Sequence, residues 1–194
     1  MKISPFSGMI LSFCFACNTP ATRPVNSLAV DSTAVDTTAI MEKAPLKEPI
    51  VYNGNNTIET SSTDPGQLLR FAETLVGTPY LYGSIDPGKG FDCSGFITYV
   101  FNHFNVAVPR SSADFTNIQM EIPLSVARPG DLVLFTGTDS TIRTVGHMGI
   151  IHKVDGGYID FIHSSSGKAN GVTITPLNHY YMTRFVKIIR IFPG

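Results

Sequence analysis

Hydrophobic positions along this chain change their period part-way. Leu68, Phe71, Ala72 and Leu75 recur at helical spacing, behind an Asp64 able to cap and a Pro65 suited to the first helical position. Gly77 ends that pattern. A second stripe runs through the stretch from Phe91 to Phe104, FDCSGFITYVFNHF, where Cys93, Phe96, Val100, Phe101 and Phe104 share a helical face. Asp92 is placed to cap this helix, and Gly90 allows a tight turn into it. One more helical turn is expected around residues 113–119. Beyond Pro129-Gly130-Asp131 the pattern becomes that of strands: Leu132 to Phe135, His147 to Val154, Tyr158 to His163, Val172 to Thr175 and Phe185 to Phe192. Helices first and antiparallel strands after predict an α+β fold, its N-terminal helices packed on one antiparallel sheet.

Composition changes the picture mainly at the N-terminus. Met1 and Lys2 precede an apolar run from Gly8 to Ala16, too short to span a bilayer and the right size for the core of a signal peptide. Cys14-Phe15-Ala16-Cys17 resembles a bacterial lipoprotein cleavage box, which would make Cys17 the lipid-accepting residue. From Asn18 to about Ser62 the chain is Thr, Ala, Ser, Pro and Val without sustained periodicity, as in a flexible tether. The expected organisation is a signal peptide with lipobox over 1–17, a tether over 18–63 and one folded domain over 64–194. Loss of the signal segment would leave Cys93 as the sole thiol, so no intrachain disulfide is expected. With a net charge of −1 and no basic patch or charged tail, nothing points to nucleic acid or to an oppositely charged partner.

Cys93 is the candidate nucleophile. A thiol in the first turn of a helix faces unpaired backbone N–H groups and the positive end of the helix dipole, both of which favour thiolate over thiol. A cysteine nucleophile also needs a base, and a third group to hold that base. Among five histidines, His103 lies on a different face of the cysteine helix and His179 in a surface connection. His147 and His163 fit better. If Val154-Asp155-Gly156-Gly157-Tyr158 closes a three-residue hairpin loop, Gly149 pairs with His163, and both imidazoles share one face and one end of the hairpin. His152 then points to the opposite face. A one-residue slip would separate the pair.

Together these residues resemble the NlpC/P60 family of papain-like cysteine peptidases that cut bacterial cell-wall peptides. The likeness is carried by Gly77-Thr78-Pro79-Tyr80, Tyr82-Gly83, Phe91-Asp92-Cys93-Ser94-Gly95-Phe96, Val108-Pro109-Arg110-Ser111, Pro129-Gly130-Asp131-Leu132, Gly146-His147-Met148-Gly149-Ile150 and Phe161-Ile162-His163-Ser164. It implies Cys93 as nucleophile, His147 as base, His163 as the residue orienting His147, and Tyr80 as a hydroxyl donor to the tetrahedral oxyanion. It further implies that Asp92 and Ser94 line the substrate side, the carboxylate receiving a peptide amine. The implied substrate is the peptide stem of peptidoglycan, cut between D-glutamate and the diamino acid. The enzyme would act as a monomer at the cell envelope, without metal or cofactor, and touch a membrane only through its N-terminal lipid. Where relatives often have two glycines this chain has Gly83-Ser84, and no preceding SH3-like module fits in the tether. Three alternatives stay open: acyl or amide transfer on the same fold, a non-catalytic wall-binding module, and a zinc hydrolase with Cys93, His147 and His163 as ligands.

Overall fold

The computed structural model describes residues 50–193 except Gln119. The signal segment, Cys17 and the tether as far as residue 49 lie outside the described residues. The first helix, α1 (Pro65–Glu73), starts where Asp64 accepts a hydrogen bond from the Gln67 N–H at 2.8 Å, and it buries Leu68, Leu69 and Ala72. A small hairpin, β1 (Ile85–Asp86) with β2 (Gly90–Phe91), leads directly into α2 (Cys93–His103). A 3-10 helix over Ser112–Asn117, the short β3 (Glu121–Ile122) and a 3-10 turn over Leu124–Val126 follow. The remainder is β4 (Leu132–Thr136), β5 (Val145–Asp155), β6 (Tyr158–Ser165), β7 (Gly171–Pro176), the six-residue α3 (His179–Arg184) and β8 (Phe185–Ile189). Six strands form one antiparallel sheet in the order β3-β8-β4-β5-β6-β7. The fold is α+β, with the helices packed on that sheet as the period change predicts.

Alternation along the strands gives the sheet two apolar faces. Leu132, Leu134, Met148, Ile150, Ile162 and Ile189 meet the helices, while Val133, Phe135, Ile151, Phe161 and Ile188 form a second cluster with Tyr181 of α3. Helix α2 is more enclosed than a single stripe implies. Phe96, Ile97, Val100 and Phe101 are all fully buried, because Ile58, Val106, Val108, Phe115 and Ile118 cover the side the sheet does not. Ile58 and Thr60 are themselves buried, and Tyr52 packs on the core. Packed residues therefore occur before Asp64.

The hairpin that carries both histidines reaches the expected pairing by an unexpected route. Its loop has two residues, Gly156 and Gly157, with φ of +55° and +87°, and Asp155 pairs with Tyr158. Positive φ at both positions is the geometry that suits glycine in a two-residue hairpin turn. Taken alone, this shifts the register by one from a three-residue loop. A bulge at His152 compensates: Lys153 pairs with Asp160 and Ile151 with Phe161, so Ile150 faces Ile162. His147 and His163 consequently share the face that carries Tyr181 of α3. His152 sits on the helix side, its Nε2 2.6 Å from Glu73 Oε1 at the end of α1.

Asp131, in the turn before β4, is 1 % exposed and takes Arg190 through both oxygens at 3.0 and 2.9 Å, plus the Arg128 N–H at 2.8 Å. Removing one partner of such a pair strands the other charge. Asp131→Ala should lower the unfolding free energy by about 3 kcal/mol in urea titration, whereas an exposed control such as Asp155→Ala should change it by less than about 0.5 kcal/mol.

Candidate active site

The entry to α2 is built around the Asp92 carboxylate. Oδ1 accepts from the Gly95 N–H, from Ser94 Oγ at 3.3 Å and from Arg110 Nη1 at 3.0 Å; Oδ2 accepts from the Gly83 N–H and from Arg110 Nη2, both at 2.8 Å. Five donors occupy the carboxylate, which ties the Gly83 turn, the first turn of α2 and Arg110 into one unit. The fit has no slack, because a Cβ on Gly95 would stand 2.1 Å from the Ser84 carbonyl oxygen. Asp92 and Ser94 are both buried, and Ser94 Oγ also accepts from Arg110 Nη1 at 2.9 Å. In this arrangement Asp92 and Ser94 hold the thiol's platform.

The Cys93 thiol is half-buried at the edge of this platform, its Sγ 3.9 Å from the carbonyl oxygen of Gly146, the residue before His147. The thiol's pKa is raised: burial is the main cause and the Asp92 carboxylate the second, and together they outweigh the N–H groups of Ser94, Cys93 and Met148, which pull it down. The expectation of a thiolate is thus reversed. The capping carboxylate that starts the helix opposes a second negative charge one residue away.

His147 Nε2 and His163 Nδ1 face each other at 2.8 Å, and His163 Nε2 continues to Thr175 Oγ1 at 3.0 Å. Phe135 and Tyr181 stack near His147 at ring separations of 6.0 and 6.4 Å, and Phe161 lies 4.5 Å from the His163 ring. The His163 ring is fully buried, whereas His147 keeps partial access to the groove beside it. Burial holds the His147 pKa well below 6.5, helped by His163 and by the Arg184 charge, and sets that of His163 at about 3, again with Arg184 second. Both rings are neutral at neutral pH. Of the two tautomer chains these contacts allow, the one in which His147 Nε2–H donates to His163 Nδ1 and His163 Nε2–H donates to Thr175 leaves a lone pair on His147 Nδ1.

This neutrality has a stability consequence. An unfolded histidine takes a proton as the pH falls through about 6.5. The folded pair does not until much lower, so the unfolded state binds more protons in this window and stability falls on acidification. From pH 7 to 5 the loss for His163 is expected to be about 2 kcal/mol in urea titrations, with His147 acting in the same direction, and His163→Asn should remove the His163 share.

Tyr80 reaches the same place from the other side of the groove. Its backbone N–H donates to the Asn170 carbonyl at 3.0 Å, its strand bridges to Phe91, and its phenol bonds to Ser166. Burial raises its pKa first, followed by Cys93 and Asp92, which places the hydroxyl within their electrostatic reach. His103 stacks on Phe71 of α1, and His179 opens α3 on the surface. Three participants were not anticipated from sequence: Thr175, the partner role of Arg110, and Arg184. Strand parity places Thr175 on the face of His163, so its signal was present. A zinc held jointly by the two histidines is opposed by geometry, since the nitrogens that face each other are already hydrogen-bonded.

Residues 77–190 match the NlpC/P60 family. This chain belongs to that family. Within it, the chain is similar to the gamma-DL-glutamyl hydrolase of Bacillus subtilis strain 168, 34% identical over 122 residues that cover 62% of this chain and 28% of the relative. It is also similar to a probable peptidoglycan endopeptidase, LytE, of the same organism, 38% identical over 123 residues that cover 62% of this chain and 32% of the relative. The matched part thus spans about a third or less of these relatives. A crystal structure of an NlpC/P60 family protein from Bacillus cereus shares the fold, with a TM-score of 0.59 and 24% identity over 70% of this chain and 42% of the other.

Proposed function

We propose that this NlpC/P60 chain is a cysteine endopeptidase of the cell envelope that hydrolyses peptidoglycan stem peptides at the bond between D-glutamate and the diamino acid. The observation that carries the reading is the Cys93 sulfur at the mouth of α2, against the residue preceding a histidine whose Nε2 is already engaged. His147 Nδ1 takes the thiol proton as Sγ attacks the carbonyl carbon. The new imidazolium is steadied through Nε2–H to His163, and it then protonates the departing amine. The Cys93 N–H and the Tyr80 hydroxyl stabilise the oxyanion. Because burial disfavours charge on both partners, the proton moves with the attack and not before it. Water then resolves the thioester. Export on a Cys17 lipid anchor, with residues from 18 onward as tether, would bring the domain to this substrate, and the relatives named for peptidoglycan and glutamyl hydrolysis support the choice of bond.

Incubating the full chain with purified sacculi should release fragments with a new free amine on the diamino acid, identified by mass spectrometry. Fragments cut elsewhere would overturn the bond assignment. Products joined to an added amine in place of water would make the enzyme a transferase, and sacculi that are bound but never cut would make the domain a binding module.

A further inference from the structure

A groove of about 850 Å3 leaves the site on the His147 side, between the loop around Lys168 and helix α3. Its lining includes Arg184, Lys168, Tyr180 and the hydroxyls of Thr173 and Thr175, and contains no Asp or Glu. Arg184 is the unusual member. It is 9 % exposed, stacks at 5.4 Å from the Tyr180 ring, and has no carboxylate within ion-pair distance among the described residues. Its Nε and Nη2 donate to the carbonyls of Gly137 and Thr136, both at 2.9 Å, and Nη1 donates to the Tyr180 hydroxyl oxygen at 3.1 Å. Peptide carbonyls satisfy its hydrogen bonds but do not cancel its charge, which is felt at both histidines. A Tyr180 oxygen that accepts from a guanidinium turns its own proton outward and is a stronger donor for it. Lys168 is exposed on the facing loop, also without an ion-pair partner among the described residues.

We propose that this groove is a carboxylate subsite, in which Lys168 and the Tyr180 hydroxyl, backed by the buried Arg184 charge, bind a free carboxylate on the residue at the amine side of the cut bond. The inference rests on the peptidase reading for the direction in which substrate lies. The carboxylate has two possible sources, the side chain of a diamino diacid or the chain-terminal α-carboxylate of that residue. One charge-assisted hydrogen bond supplies enough energy to discriminate by tenfold or more.

The test measures affinity in the full-length Cys93→Ala protein, by calorimetry, for three peptides of the form L-Ala-γ-D-Glu-X. X is lysine amide, lysine with a free α-carboxylate, or a diamino diacid amidated at its α-carboxylate. At least one of the two peptides with a free carboxylate on X should bind about tenfold tighter than the lysine amide, and which one identifies the source. The gain should vanish on adding Lys168→Met, shrink on adding Tyr180→Phe, and weaken with rising salt. Lys168 is exposed, so an unchanged melting temperature will separate lost charge from lost fold. Equal or undetectable affinity for all three peptides, or a gain untouched by Lys168→Met, overturns the subsite. A Lys168-dependent preference in a protein that cuts none of the peptides would sink the peptidase reading and leave the subsite standing. Equal cutting and equal binding of all three would do the reverse.

Discussion

Cys93→Ala is expected to lower kcat/KM for stem peptides by at least about 10⁴-fold while leaving the melting temperature within a few degrees. Removing a nucleophile that acts as a unit with its base commonly forfeits most of the catalysis beyond binding and oxyanion stabilisation. The sulfur is half-buried and makes one weak contact, at 3.9 Å to Gly146, so its loss leaves no void of consequence in the core. The platform beneath it depends on Asp92, Arg110 and Gly95, none of which bonds to the thiol. Rate measurement with a defined peptide and a parallel melting curve check both halves. A variant that kept even a tenth of the wild-type rate would remove the thiol from the mechanism.

The second large effect is expected at His147. His147→Gln should reduce kcat by about 10³-fold with little change in KM, because the ring is needed when the proton moves and not for holding substrate. A neutral imidazole whose pKa is depressed also predicts the acid limb of the pH profile. Since the His147 pKa is held well below 6.5, kcat/KM should stay flat as pH falls through 6.5 and decline only at more acid values. An apparent pKa at or above 6.5 for that limb would mean that the ring is solvated in the working enzyme. Kinetics over the range in which the protein stays folded, set by the acid stability loss derived above, distinguish the two.

How much of this was legible in the sequence varied with the range of the forces involved. The cysteine helix was readable because its signals are local: the Asp92 cap, Gly95 and the apolar stripe all lie within a few residues. The histidine pair was readable only because two features cancel. A loop one residue shorter than expected is offset by the bulge at His152, so the correct face was reached through an incorrect loop. Ionisation was not readable, because it depends on burial and on a carboxylate that looked like a helpful cap. Nor could the hydrogen bonding of Asp92 be recognised, since two of its five donors come from Arg110, eighteen residues on. Helix α3 escaped because six residues are too few for periodicity to show, and Arg184 with it. The packing of Ile58 and Thr60 escaped for a related reason: they are isolated buried positions in a polar stretch, and only tertiary contact reveals them.

The central claim is that Cys93 itself forms a bond to the acyl half of the substrate. Acid-quenching the enzyme seconds after mixing with L-Ala-γ-D-Glu-diamino-acid peptide, followed by digestion and mass spectrometry, reads this directly. The account predicts that the fragment containing Cys93 carries the L-Ala-γ-D-Glu acyl group as a thioester, cleavable by hydroxylamine and absent from Cys93→Ala. Peptide cleavage at the wild-type rate by a protein whose Cys93 has been alkylated, with no acyl group ever found on that fragment of the untreated enzyme, would contradict it.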